Sequence, residues 1–209
     1  MNRLVLVHGL GVSPRYFEPL QAQLPDAEAP DLRPLTTLPA LADALRAVVG
    51  SRPTALLGNS FGCQVVAELA VRHPELVERV VFVGPTVDRH RRSWTSQLGR
   101  LAVDAVREPP RLVALAVRDY FETGPIRTLR MAREALRDPL ERKLESFAAP
   151  LLVVRGERDA LCPQDWAAEI ARLARRGRLT VVKGAAHAAH YSHAPELAAL
   201  VRAFCDEPE

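Results

Sequence analysis

Five residues in the first third of the chain, Gly58-Asn59-Ser60-Phe61-Gly62, lie directly after the apolar run 54–57 and directly before a run of helical period, 63–71. A G-x-S-x-G pentapeptide between a strand and a helix puts its serine on a tight turn. The glycines permit the turn, the turn strains the serine and exposes its hydroxyl, and the helix turns its positive end toward developing negative charge. Serine in such a place also caps helices, but the strand before it favours a nucleophile.

A serine hydroxyl attacks a carbonyl only if a base takes its proton and later returns it to the leaving group, and histidine is suited to that exchange near neutral pH. The chain has six: His8, His73, His90, His187, His190 and His193. His73 precedes a proline at the end of a helical run and His90 lies in a basic stretch, so both read as surface residues. His187 follows the apolar run 179–182 through Lys183-Gly184-Ala185-Ala186, which places it in a loop after a strand. It is the candidate base and His190 the reserve; His190 and His193 otherwise read as helix-start or solvent-facing residues.

The base must be held in one tautomer by a carboxylate. Arg155-Gly156-Glu157-Arg158-Asp159-Ala160-Leu161-Cys162-Pro163 follows another apolar run and carries two acids. Asp159 lies past the glycine and before the proline that opens the next helix, which makes it the better placed; Glu157 reads as an exposed turn residue. The order Ser60, Asp159, His187 matches the Ser…Asp…His order known for this type of turn. A tetrahedral oxyanion also needs two backbone donors. The N–H of Phe61 follows from the turn itself, and the N–H of Leu10, in His8-Gly9-Leu10-Gly11 after the first apolar run, is the second candidate. His8 reads as a hydrogen-bonded structural residue.

The elements that must carry these groups are legible as alternation. Short apolar runs at 4–7, 55–57, 80–83, 151–154 and 179–182 read as strands buried on both faces, with a weaker strand at 26–30. Helical periods fill 14–24, opened by Ser13-Pro14, then 38–49, 62–73, 164–174 and 195–204. Alternation of this kind is an α/β chain with a mostly parallel sheet flanked by helices. Residues 86–145 break the pattern: leucine, valine and alanine recur at helical spacing between Pro109-Pro110, Gly124-Pro125 and Pro139, with no β-type run. They read as a helical insertion that packs on the carboxyl edge of the sheet. The expected organisation is a core of residues 1–85 and 146–209 with a helical cap of residues 86–145.

The chain has 209 residues, 48% apolar and 25% charged, values of an ordinary globular domain. No apolar stretch approaches the roughly 20 residues that span a bilayer, and the apolar start meets His8 and Gly9 at once, so neither a membrane span nor a signal peptide is expected. Three cysteines fit neither a disulfide framework nor a zinc site, which points to a reducing, cytoplasmic location. The net charge is +3, but residues 86–145 alone hold thirteen Lys/Arg against nine Asp/Glu. That surplus can steer an anionic substrate or touch an acidic surface, and a solvated arginine-rich face explains it more simply. Without interleaved aromatic residues it is no nucleic-acid module. Oligomeric state is not encoded in any pattern.

With these residues in place, the chain resembles the α/β-hydrolase superfamily over nearly its whole length outside 86–145. LVLVHGLG is similar to the family's strand and oxyanion loop, LLGNSFG to its nucleophile elbow, LLVVRGERDALCP to its acid loop and VVKGAAH to its histidine loop. The resemblance implies a core sheet with a helical cap over the pocket. It also implies a minimal core, since the chain opens at what looks like the family's third strand. The glutamate often found five residues after the histidine is here Ser192, and the elbow carries serine rather than aspartate, which argues against epoxide hydrolases and dehalogenases.

The expected activity is therefore hydrolysis of a small-molecule carboxylic ester through Ser60, His187 and Asp159 and an acyl-enzyme, without metal or cofactor. Thioesterase, lactonase, carbon–carbon bond hydrolase and acyltransferase activities use the same parts. A non-catalytic ligand-binding protein of the same fold, or a dinucleotide-binding protein, is less well supported, the latter for want of a complete G-x-G-x-x-G. Leu112, Val113, Leu115, Ala116, Val117, Tyr120 and Phe121 in the insertion suggest an apolar pocket, though cap-to-core packing is the expected role for most of them.

Overall fold

A computed structural model describes residues 3–207. Its elements in chain order are β1 (Leu4–Val7), α1 (Glu18–Gln23), α2 (Leu38–Val49), β2 (Thr54–Asn59), α3 (Phe61–Arg72), β3 (Val77–Val83), α4 (Trp94–Ala105), α5 (Pro110–Thr123), α6 (Pro125–Arg137), α7 (Leu140–Leu144), β4 (Leu151–Gly156), α8 (Gln164–Leu173), β5 (Gly177–Val182), α9 (Ala189–Ser192) and α10 (Ala194–Cys205). The five strands form one sheet in the order β1-β2-β3-β4-β5, and every neighbouring pair is parallel.

The apolar runs of β1 to β4 behave as a sheet covered on both faces requires. The run 179–182, expected to be buried likewise, is not buried throughout, because β5 is an edge strand with Leu179 and Thr180 half-buried and Val181 exposed. Val5, Val7, Leu56, Val80, Phe82 and Val153 point to the layer formed by α2, α3, α7 and α8. Leu4, Leu6, Leu57, Val81, Val83, Leu152 and Val154 point to the opposite layer, built from α1 and α10. Because all strands run the same way and Val7 pairs with Gly58, Asn59 with Val83, and Gly156 with Val182, their carboxyl ends lie along one edge. The loops after β1, β2, β4 and β5, which hold the chemistry-bearing residues, therefore emerge together.

Four helices, α4 to α7, lie between β3 and β4; α7, expected to belong to the cap, packs on α3 and α8 in the core layer, and α4 to α6 form the cap. Buried polar ties dock it: Asp119 of α5, wholly buried, accepts from the Ser13 amide at 2.6 Å, Thr123 donates to the Gly11 carbonyl at 2.9 Å, and Gln64 of α3 donates to the Ala135 carbonyl of α6 at 2.9 Å. Among the described residues no helix is long and apolar enough to cross a membrane.

Two further local expectations are corrected. The helix at 14–24 is split into a three-ten turn, Pro14–Phe17, and α1. Pro19 lacks the N–H that a continuous helix would donate back to Arg15, so the ladder breaks there. Ser13 gives no side-chain cap either; its backbone N–H is the group that is used. The strand at 26–30 shrinks to one bridge between Val5 and Glu28, because Pro25 and Pro30 on either side cannot donate to a ladder. Residues 1–2 and 208–209, at the ends of the expected core, lie outside the described residues.

Candidate active site

Ser60 stands between the end of β2 and the start of α3 with φ +55°, ψ −119°, the one non-glycine residue with positive φ among those described. That left-handed backbone is strained for a residue with a β-carbon, by about 1–3 kcal/mol, and is held by its surroundings. Those surroundings leave no room for side chains: a Cβ on Gly58 would stand 2.7 Å from the backbone of Gly62 and Cys63, and one on Gly62 only 2.2 Å from the Val7 carbonyl. The two glycines of the pentapeptide are thus required by close approach of α3 to β2 and β1. The Ser60 amide is fixed to the Val83 carbonyl at 3.0 Å.

In the loop after β4, Asp159 is buried and both of its carboxylate oxygens are engaged. Its Oδ1 accepts from the amides of Leu161 and Cys162, each at 2.8 Å, and its Oδ2 lies 2.9 Å from His187 Nδ1. Arg155 braces the loop from below, donating to the carbonyls of Cys162 (2.8 Å) and Asp159 (3.2 Å). An ionised carboxylate only accepts, so Nδ1 of His187 carries the proton and Nε2 is left as the basic nitrogen. Burial disfavours the His187 cation, but the charge and hydrogen bond of Asp159, with Asp104 and Glu108 behind it, outweigh that and raise the imidazole pKa above its ordinary value.

Ser60 and His187 line one cavity of about 760 Å³ together with Leu10 and Phe61. They are not hydrogen-bonded to each other: His187 Nε2 is buried without a partner, and Ser60 Oγ lies 3.4 Å from Thr86 Oγ1. The structure therefore joins the acid to the base, and brings the serine and both amide-bearing residues to the same cavity. The loop carrying Leu10 presses on the elbow, since a Cβ on Gly9 would meet the Ser60 Cβ at 3.4 Å.

The remaining histidines divide. His8 is buried, its Nε2 accepting from the Leu32 amide at 3.0 Å, as a loop-shaping residue should be. His90 is exposed, while His73 is half-buried. His190 is neither solvent-facing nor paired with the acid: it is fully buried against Phe17, ring centroids 4.9 Å apart, and burial, with the nearby His187, pushes its pKa down to about 3. His193 is half-buried and meets Ser192 Oγ at 2.9 Å. Glu157, exposed as expected, accepts from the Gly184 amide at 2.8 Å and so ties the acid loop to the histidine loop.

The cap residues serve both of the roles expected of them. Leu112, Val113, Ala116, Val117, Tyr120 and Phe121 all line the cavity, and Leu115 alone of the seven does not. Leu112, Ala116 and Tyr120, with Leu115, also pack against Val12, Tyr16 and Ala188 of the core, so helical period could not separate the two roles. Trp94, Leu98 and Leu101 of α4 and Leu129, Ala132 and Leu136 of α6 complete walls that are apolar apart from a few polar groups. Two of those groups escape sequence reasoning. Thr86 reaches the serine because the loop after β3 folds back, pinned by Trp166 Nε1 on the Pro85 carbonyl at 3.0 Å. Gly84, φ +57°, seats the acid–base pair: a Cβ there would be 2.8 Å from the His187 ring and 2.9 Å from Asp159 Oδ2. A glycine directly after a predicted strand was the available signal.

Residues 4–200 match the Alpha/beta hydrolase family. Pimeloyl-[acyl-carrier protein] methyl ester esterase of Neisseria meningitidis serogroup B is 26% identical over 243 residues, covering 99% of this chain and 93% of that protein. Among solved structures, a hydrolase from Oleispira antarctica superposes with a TM-score of 0.85 at 12% identity, covering 100% of this chain and 92% of the other. A bromoperoxidase from Bacillus anthracis superposes with a TM-score of 0.83 at 18% identity, covering 99% and 92%. At these identities the two structures speak for the fold alone.

Proposed function

Because the chain belongs to the alpha/beta hydrolase family, we propose that it is a serine hydrolase of carboxylic esters. The observation that carries this reading is the buried Asp159–His187 pair opening onto the same apolar cavity as the strained Ser60. His187 Nε2 removes the Ser60 proton as Oγ attacks the ester carbonyl, and the ring, now a cation, is stabilised by Asp159. The oxyanion is held by the amides of Phe61 and Leu10, the first aided by the positive end of α3. The cation returns its proton to the leaving alcohol. His187 then activates water, which attacks the acyl-enzyme and frees Ser60. This sequence of steps requires Ser60 Oγ to leave Thr86 and meet His187 Nε2, which is without a partner.

The cavity is large enough and apolar enough for a medium acyl chain. A panel of p-nitrophenyl esters from acetate to long acyl chains, run beside S60A, tests the reading. Turnover by the wild type that falls to background in S60A, with fluorophosphonate labelling of the wild type alone, supports it. Absence of both turnover and labelling would sink it.

A narrower reading, an ester at the end of an acyl chain carried on an acidic protein, is favoured by the basic exterior of α6. Arg127, Arg130, Arg133 and Arg137 are exposed on a helix whose Pro125, Thr128, Leu129 and Ala132 line the cavity. It also agrees with the name of the Neisseria relatives. A methyl ester on a carrier protein would then be hydrolysed with a lower KM than the free methyl ester, an advantage lost as salt is raised. Equal KM values, insensitive to salt, would exclude the carrier.

A further inference from the structure

Helix α4 is loosely packed for a helix over an active site. Asp104 is its only buried residue, whereas Trp94, Leu98, Leu101 and Val103 are 40% exposed or more. Its carboxyl end and the turn after it are instead fastened by polar contacts to the two loops that hold the acid and the base. Both neighbours of Asp159 are gripped: Arg107 donates to the Arg158 carbonyl at 2.6 Å, Arg100 donates to the Ala160 carbonyl at 2.6 Å, and the Ala160 amide donates to Asp104 Oδ1 at 3.4 Å. The histidine loop is held from the same side. Glu108 Oε1 accepts from the Ala188 amide at 2.6 Å, and the backbone N–H of His187 faces the Asp104 carboxylate.

We propose that Asp104, seconded by Glu108, is a positioning residue that sets the Asp159–His187 pair in register through the backbone of the two loops. This rests on the serine-hydrolase reading and adds to it a coupling between cap and catalytic centre: displacing α4 displaces the loops that orient the base. Among the described residues, no other element bridges these two loops from the cap side with a buried carboxylate. The two acids also act on His187 by charge. The titratable groups that face its ring are Asp159 from the acid loop, Asp104 and Glu108 from the cap, and His190 from α9. Burial raises the pKa of Asp104, against the pull of His187 and of the Ala160 and His187 amides, and pushes Glu108 up to about 7.

The test compares D104A, D104N and E108Q by steady-state kinetics and by NMR titration of the His187 ring, assigned with H187Q. D104A is expected to lower kcat by up to about 100-fold, the scale of a small misplacement of reacting groups, with KM little changed. D104N keeps an acceptor for the loop amides and is expected to recover most of kcat, while the lost negative charge moves the His187 titration to lower pH. E108Q is expected to move it in the same direction. A D104A enzyme with raised KM and wild-type kcat would make Asp104 part of the substrate wall and overturn the proposal. So would a His187 titration unchanged in D104N, a near-isosteric variant that decides the matter even where D104A fails to fold. The NMR readout needs no turnover, so a wild type inactive on every ester would strike the hydrolase reading while the titration still decides the role of Asp104.

Discussion

His187 Nδ1 and Asp159 Oδ2 are 2.9 Å apart and rest directly on the Cα of Gly84, at the carboxyl end of β3, so that three adjacent strand ends meet at one contact. A methyl group at position 84 would occupy the space of the ring edge and the carboxylate at once. G84A is therefore expected to push the pair apart and, at φ +57°, to strain the backbone as well. A fall in kcat on the order of 10²-fold with a lower Tm is the expected outcome; wild-type kinetics in G84A would show that the pair tolerates displacement.

D159N keeps the shape of the acid but can donate as well as accept. The amides of Leu161 and Cys162 hold one oxygen position as acceptor, which leaves the amide NH₂ facing His187. The ring must then turn its unprotonated nitrogen toward position 159 and its N–H toward Ser60, the wrong tautomer for a base. A loss of kcat of about 10⁴-fold with a retained fold is expected, as for other triads treated this way. Circular dichroism and ester kinetics together check it.

The raised pKa of His187 fixes the sign of the pH dependence. The base works only when neutral, so kcat/KM should rise with pH through a limb whose midpoint lies above the roughly 6.5 of a free imidazole. The same shift contributes stability that is fully present below the unfolded value and is lost as pH rises through the folded one. Tm measured across this range should show that loss, and H187Q should remove both the limb and this part of the stability profile. A limb below the free imidazole value would contradict the electrostatics of the site.

Ala132 of α6 lines the cavity opposite the core. A132F would fill part of the roughly 760 Å³ and shorten the acyl chain that fits. The expected result is a raised KM for long p-nitrophenyl esters with acetate unaffected. An unchanged chain-length profile would mean that the acyl group lies elsewhere.

The five strands, most of the helices flanking them and the glycine-bounded serine turn were legible because their causes are local: apolar runs, helical period, proline punctuation and glycines that permit one backbone shape. Even the order of Ser60, Asp159 and His187 could be read, since each follows a strand and parallel strands end on one edge. What the chain does not spell out locally is which atoms meet. His190 is buried beside Phe17 rather than facing solvent, and Ser60 Oγ lies beside Thr86 rather than hydrogen-bonded to His187. Six cap residues line the cavity, three of them (Leu112, Ala116 and Tyr120) while also packing on the core, and Asp104 reaches across 56 residues to Ala160. The sequence by itself thus determined the sheet, the elbow and the set of chemical groups. The tertiary structure decided their partners, because hydrogen bonding, desolvation and room for a side chain depend on neighbours far away along the chain.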